Sequence, residues 1–158
     1  MTRLASCQGD DYPVASKKHL DDASALAQGG RHTGCAYLAG YVVECALKSV
    51  LLYEKSWEQA TRTYNQQKLE EEQDRLRLFG HKLRDLFDEV TRVYAMATVR
   101  SSRYVPNLSH HAAIMCWQES MRYRPSNYLA SSHAKEMLND ARQVVRRTIE
   151  RMASDRVL

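Results

Sequence analysis

Apolar residues recur along the chain at steps of three and four positions, the periodicity of helices with one buried face. The first such segment covers about residues 14–28, and Gly29 and Gly30 end it. In the second segment, about residues 32–53, apolar residues cover almost the whole circumference. A helix of that kind is surrounded by neighbours, so we expect it at the centre of the fold.

The composition changes between residues 55 and 79, where Gln, Glu, Arg and Lys predominate and apolar residues are isolated. This predicts a polar helical excursion that is largely exposed to solvent. Gly80 and His81 end the excursion. A third core helix follows, because Leu83, Leu86 and Val90 return to three- and four-residue steps.

Prolines divide the last third of the chain. Pro106 predicts a loop over residues 101–107, and a shorter helix is predicted around residues 112–121. After Pro125, Ser126 is a suitable N-cap for a long last helix. The whole pattern predicts an all-α fold, an up-and-down bundle of four to five helices forming one domain over residues 1–158.

The charge and the cysteine content indicate which partners and which cellular location to expect. The net charge of +4 permits an acidic partner such as RNA, but it falls short of a dedicated basic nucleic-acid binder. No cleavable hydrophobic leader precedes the cysteines, and none of them has paired spacing, which favours free thiols and a cytoplasmic location. They are Cys7, Cys35, Cys45 and Cys116.

The second helix is the one membrane-like stretch of the sequence. Glu44 and Lys48 lie near its middle, and each charge would cost roughly 2.5–3.5 kcal/mol in a bilayer. We therefore expect a buried helix and no membrane contact. Tyr37, Tyr41, Glu44 and Lys48 are spaced four, three and four apart, so they share one face of this helix. Two interpretations are open. In one, Glu44 and Lys48 form an ion pair that reaches the edge of the bundle or supports a subunit contact. In the other, the face forms a polar pocket anchored by Glu44.

Three motifs occur in order along the chain. They are the run AYLAGYVVECALK at residues 36–48, then Gly80-His81-Lys82-Leu83, and then Trp117 followed by Arg122-Tyr123-Arg124-Pro125 before the last helix. In this order and spacing the motifs resemble those of the HEPN domain, over about residues 14–150. The resemblance implies a bundle of four or five helices that usually forms a homodimer. It also implies a prokaryotic toxin–antitoxin or defence setting, often beside a small nucleotidyltransferase partner protein.

Many proteins of that family are metal-independent ribonucleases. Their motif is Arg, four to six residues, then His, near the start of the last helix. Here Arg122 and Arg124 are separated from His133 by ten and eight residues, so the spacing differs. Arg103 and His110 have six residues between them, but they lie around Pro106 rather than at the last helix.

The chain therefore resembles the HEPN branch with an Arg-Tyr-x-Pro element, for which binding of nucleotides or a protein partner is implied. The resemblance implies that five residues form a polar cluster: Glu44, Lys48, His81, Arg122 and Tyr123. In it, Arg122 can fork onto the Glu44 carboxylate and Tyr123 can supply a stacking face. The same cluster is also open to interpretation as a structural salt-bridge network.

Other groups of candidate metal-binding residues are incomplete. His32-x-x-Cys35 and the pair His110-His111 with Cys116 are each half of a metal site, so we expect no metal and no cofactor. The leading hypothesis is a non-catalytic, homodimeric module that binds a nucleotide, RNA or a protein. The alternative is an endoribonuclease with unusual spacing, whose candidate residues are Arg103, His110, Arg124 and His133.

Overall fold

The computed structural model describes residues 2–5, 10–58, 60–95 and 102–158, apart from the side chain of Leu108. Within these residues the chain forms five helices and a small hairpin, so the predicted all-α bundle is confirmed. The helices are α1 (Tyr12–Gln28), α2 (His32–Ser56), α3 (Gln66–Leu78), α4 (Leu83–Ala95) and α5 (Ser131–Val145). A π-helical turn (Arg146–Glu150) and a last helical turn (Arg151–Ser154) extend α5. Cys7 and Ser101 lie outside the described residues.

Helix α2 lies at the centre of the bundle, as its composition predicts. It packs against all four other helices, and most of its side chains are buried. By length and composition α2 is apolar enough to cross a membrane, but 83% of its most apolar window is buried inside the protein. Contacts within the bundle therefore account for its hydrophobicity.

The polar excursion between α2 and α4 folds back onto the bundle. A two-residue strand, β1 (Trp57–Glu58), pairs antiparallel with β2 (Thr63–Tyr64), and α3 then packs against α2. Most positions of α3 are exposed, as predicted, but Leu69 and Leu76 are seven residues apart and bury one stripe of the helix. The buried amide of Gln73 also donates to the Leu4 carbonyl at 2.8 Å, which ties the N-terminal residues to α3.

Short 3₁₀ turns replace the helix predicted around residues 112–121. Ile114–Cys116 and Glu119–Tyr123 are such turns, and Trp117 and Gln118 between them are extended. The segment also has a contact distant in sequence. Asp140 of α5 accepts a hydrogen bond from the Ile114 backbone N–H at 3.2 Å and lies 3.3 Å from the His111 ring. This holds the segment in tight turns against α5.

The last helix begins later than predicted. Its N-cap is Ala130, so Ser126 does not cap it. Ser126 instead serves α2, because its carbonyl accepts the hydroxyl of Thr33 at 2.9 Å. The Tyr128 N–H bonds back to the carbonyl of Pro125 at 3.0 Å, which turns the chain before α5 starts.

Candidate functional site

The polar face predicted on α2 is present. The hydroxyl oxygens of Tyr37 and Tyr41 lie 3.0 Å apart, and Lys48 Nζ lies 2.8 Å from Glu44 Oε1. The side chains of Glu44 and Lys48 are only 4% and 7% exposed, and the Lys48 ammonium lies 5.2 Å from the centre of the Tyr12 ring. The pair is therefore buried inside the bundle rather than placed at its edge.

Glu44 has a second partner from the loop between α3 and α4. Gly80 adopts φ +57°, a conformation that glycine tolerates readily, and His81 follows this turn. The Nδ1 atom of His81 lies 3.0 Å from Glu44 Oε2, and its Nε2 lies 3.8 Å from Glu119 Oε1. His81 thus connects the buried carboxylate on α2 to the turn Glu119–Tyr123.

Arg122 ends this series of contacts, because its guanidinium pairs with Glu119. We call the series the Glu44–Glu119 network; it comprises Lys48, Glu44, His81, Glu119 and Arg122. The predicted fork of Arg122 onto Glu44 is wrong. Lys48 and His81 already occupy one oxygen each, and Glu119 lies one helical turn before Arg122. Cations and carboxylates alternate along the network on either side of His81.

The Tyr41 ring packs against the His81 imidazole and against Trp117. The ring centre of Tyr41 lies 5.0 Å from that of His81 and 5.4 Å from that of Trp117, both in edge-on geometry. Trp117 Nε1 donates to the Tyr37 carbonyl at 2.9 Å, and its indole lies against Gly40. Burial and the hydrogen bond with Tyr37 raise the pKa of the Tyr41 hydroxyl, so this hydroxyl is neutral at physiological pH.

A pocket of about 850 Å³ opens beside the network, and residues 78–84 and 115–119 line it. We call it the loop pocket. Of the five predicted binding residues, only His81 lines it, since Glu44 and Lys48 are buried and Arg122 and Tyr123 follow the second lining segment in sequence. Tyr123 does offer the expected stacking face, because its side chain is 79% exposed, with the Arg122 guanidinium 5.2 Å from its ring centre.

Comparisons with protein-family models, with curated proteins and with solved structures find no match to this chain. Its function must therefore be inferred from the chemistry of its own residues.

The structure does not bring the candidate ribonuclease residues together. Arg103 pairs with Asp155 at 3.2 Å, whereas His133 lies 3.8 Å from Glu136. Arg124 lies over the ring of Tyr128, and His110 is exposed in its own 3₁₀ turn. Within the described ranges no hydrogen bond or ion pair joins any two of these four candidates. The same part of the chain contains no group of three or more His, Cys, Asp or Glu side chains placed to hold a metal ion.

Three residues of the site escaped the sequence prediction. Glu119 is central to the network, and the signal for it was its position three residues before Arg122. Lys82 and Arg84 line the loop pocket beside His81. Arg84 has no carboxylate within ion-pair distance among the described residues, and only its place after the Gly80 turn indicates that it faces a shared cavity.

Proposed function

We propose that the chain is a HEPN-type binding module that does not cleave RNA and that holds a nucleotide in the loop pocket. The supporting observation is the pocket itself. Its volume of about 850 Å³ lies within the range of roughly 300–1,000 Å³ common for small-molecule sites. His81, Lys82 and Arg84 contribute cationic or hydrogen-bonding groups to it, and Phe79 and Trp117 contribute aromatic surface. Phosphate and base therefore both have suitable partners.

The Glu44–Glu119 network prepares His81 for this role. A carboxylate lies near each ring nitrogen of His81, Glu44 at Nδ1 and Glu119 at Nε2. Because Glu44 is buried and also bonded to Lys48, its position is fixed. His81 thus presents an oriented imidazole where the loop pocket begins, which suits a hydrogen bond to a ligand.

The position of Glu119 supports a non-catalytic function. A metal-free ribonuclease needs a base and a cation that reach one phosphate together. One such combination is His81 with Arg122, but the Glu119 carboxylate contacts both of them. A phosphate between the two would meet this negative charge, so the arrangement disfavours cleavage.

The resemblance to the HEPN domain supplies the setting of the proposal. We propose that the protein acts as a homodimer in a prokaryotic toxin–antitoxin or defence system, in the cytoplasm, with a small nucleotidyltransferase as its partner protein. Exposed apolar side chains offer surface for such contacts, and Leu78, at the rim of the loop pocket, is the most exposed of them.

We expect nucleotides to raise the melting temperature of the protein. A ligand at about 100 times its Kd stabilises the folded state by about 2.7 kcal/mol, which corresponds to several degrees for a domain of this size. Differential scanning fluorimetry with millimolar ATP, GTP, AMP and inorganic phosphate measures the shift. The expected order is a larger shift for nucleotides than for phosphate, because only nucleotides use the aromatic wall.

Variants assign the shift to the loop pocket. Arg84→Gln and His81→Ala should each lower the apparent affinity for the nucleotide at least fivefold, and the shift should fall accordingly. Lys135→Gln removes an exposed cation from α5 and should leave the shift unchanged. An absent shift in the parent protein, or a shift that Lys135→Gln reduces as much as Arg84→Gln does, would contradict nucleotide binding in this pocket.

The endoribonuclease remains the second candidate, and one observation favours it. Glu44 orients His81 much as a buried carboxylate orients the histidine of a hydrolytic triad. We nevertheless expect no cleavage of total RNA above background in the presence of a chelator, as followed by gel electrophoresis. Cleavage by the parent that is lost in His81→Ala, Arg103→Ala, His110→Ala, Arg124→Ala or His133→Ala would replace the binding function with this one and would name the residue responsible.

A further inference from the structure

The turn Glu119–Tyr123 contributes to a second pocket as well as to the loop pocket. This second pocket measures about 330 Å³, and three arginines line it: Arg31, Arg122 and Arg124. Neither Asp nor Glu is among its lining residues, which are otherwise apolar or uncharged. We call it the three-arginine pocket.

The charge of this pocket is only partly compensated. Arg122 shares Glu119 with the network, but Arg31 and Arg124 are exposed and have no carboxylate within ion-pair distance among the described residues. Three guanidinium groups around one concavity create a positive potential that attracts anions. Guanidinium groups bind phosphate oxygens through paired N–H donors, so phosphate is the anion that fits this geometry.

Exposed aromatic rings adjoin the same arginines. The ring of Tyr123 lies 5.2 Å from the Arg122 guanidinium carbon, and the ring of Tyr128 lies 5.0 Å from that of Arg124. Tyr123 and Tyr128 are 79% and 52% exposed, although large aromatic rings are usually buried. Pro125 restricts the backbone between Arg124 and Tyr128, the two residues of the second pair.

We propose that this surface binds single-stranded nucleic acid, with a backbone phosphate in the three-arginine pocket and bases stacked on Tyr123 and Tyr128. Cations that follow the backbone, combined with aromatic faces for the bases, are the means by which proteins hold single strands. Duplex nucleic acid keeps its bases stacked inside, so it would leave both rings unused. The proposal concerns a different pocket from the nucleotide site and does not rest on it.

Fluorescence anisotropy with labelled twelve-nucleotide oligouridine and oligothymidine tests the arginines. We expect the parent protein to bind both oligonucleotides at low salt. The double variant Arg31→Gln with Arg124→Gln should weaken this binding at least tenfold. Since single strands lose about 0.7 in the salt slope per phosphate contact and the pocket holds one phosphate, the slope should fall by about 0.7. The matched control is Arg146→Gln with Arg147→Gln, which removes the same charge from exposed positions roughly 22 Å along α5 from its start. This control should weaken binding less than threefold.

The tyrosines separate a strand site from a general anion site. The double variant Tyr123→Ala with Tyr128→Ala should weaken the binding of both oligonucleotides about tenfold. Its binding of heparin, a polyanion without bases, should be unchanged. Tighter binding of oligouridine than of oligothymidine would identify RNA as the ligand, and the reverse would identify DNA. Failure of the parent to bind either oligonucleotide, equal losses in the two arginine pairs, or an equal loss for heparin would each overturn the proposal. All these side chains are exposed, and thermal melts of the variants check that the fold is kept.

Discussion

Glu44→Gln is expected to lower the free energy of unfolding by about 3–5 kcal/mol, because it leaves Lys48 as a buried cation without its counter-ion. The two charges are 2.8 Å apart, and neither side chain is more than 7% exposed. The substitution also weakens the hydrogen bond that fixes His81. Total stabilities of roughly 5–15 kcal/mol are usual, so the loss is a large fraction of the whole. Urea unfolding followed by circular dichroism measures it.

A double-mutant cycle shows whether the pair itself is responsible. Glu44→Leu and Lys48→Met should each be destabilising, whereas the two combined should recover most of the loss, since apolar replacements of buried pairs are often neutral. Asp85→Asn is the matched control, because it breaks a similarly local but exposed pair with Lys82 and should cost less than about 1 kcal/mol. Small, additive effects of the Glu44 and Lys48 variants would contradict a buried, coupled pair.

The core of the fold could be predicted because its helices carry local signals. The 3.6-residue period of α2 and α4 and the glycines after α1 depend only on neighbouring residues, and the observed helices begin and end within three residues of the predicted positions. The face shared by Tyr37, Tyr41 and Glu44 follows from the same period. The burial of Glu44 and Lys48 did not follow from the sequence, which left open a pair at the edge of the bundle.

The parts that sequence alone could not predict depend on distant contacts. The Asp140 carboxylate anchors the turns around Ile114 to α5, because it binds that residue's N–H from 26 positions away. The sequence-based cluster contains both His81 and Arg122 as candidate partners of Glu44, and spacing alone does not decide between them. The tight turn at Gly80 decides it, because this turn brings His81 to the carboxylate.

The second large effect is expected at Gly40, a position to which the sequence assigned no role. A Cβ atom there would overlap the Trp117 indole. The indole is buried, and its N–H bonds to the Tyr37 carbonyl of the same helix, so it cannot turn aside without losing that bond. Alanine normally stabilises a helix by about 1 kcal/mol over glycine, but the overlap in a closed core should outweigh this gain. We therefore expect Gly40→Ala to destabilise the protein by roughly 2 kcal/mol or more.

Gly34→Ala in the same helix separates steric overlap from helix propensity. Its Cβ would meet only the flexible Leu26 side chain, at 3.2 Å, so stability should stay within about 1 kcal/mol of the parent. In a Trp57→Phe background, which leaves Trp117 as the sole tryptophan, Gly40→Ala should also shift the emission maximum to longer wavelength as the indole becomes hydrated. Because Trp117 lines the loop pocket, the same variant should weaken nucleotide binding. An unshifted spectrum together with unchanged stability would show that the indole does not lie against Gly40.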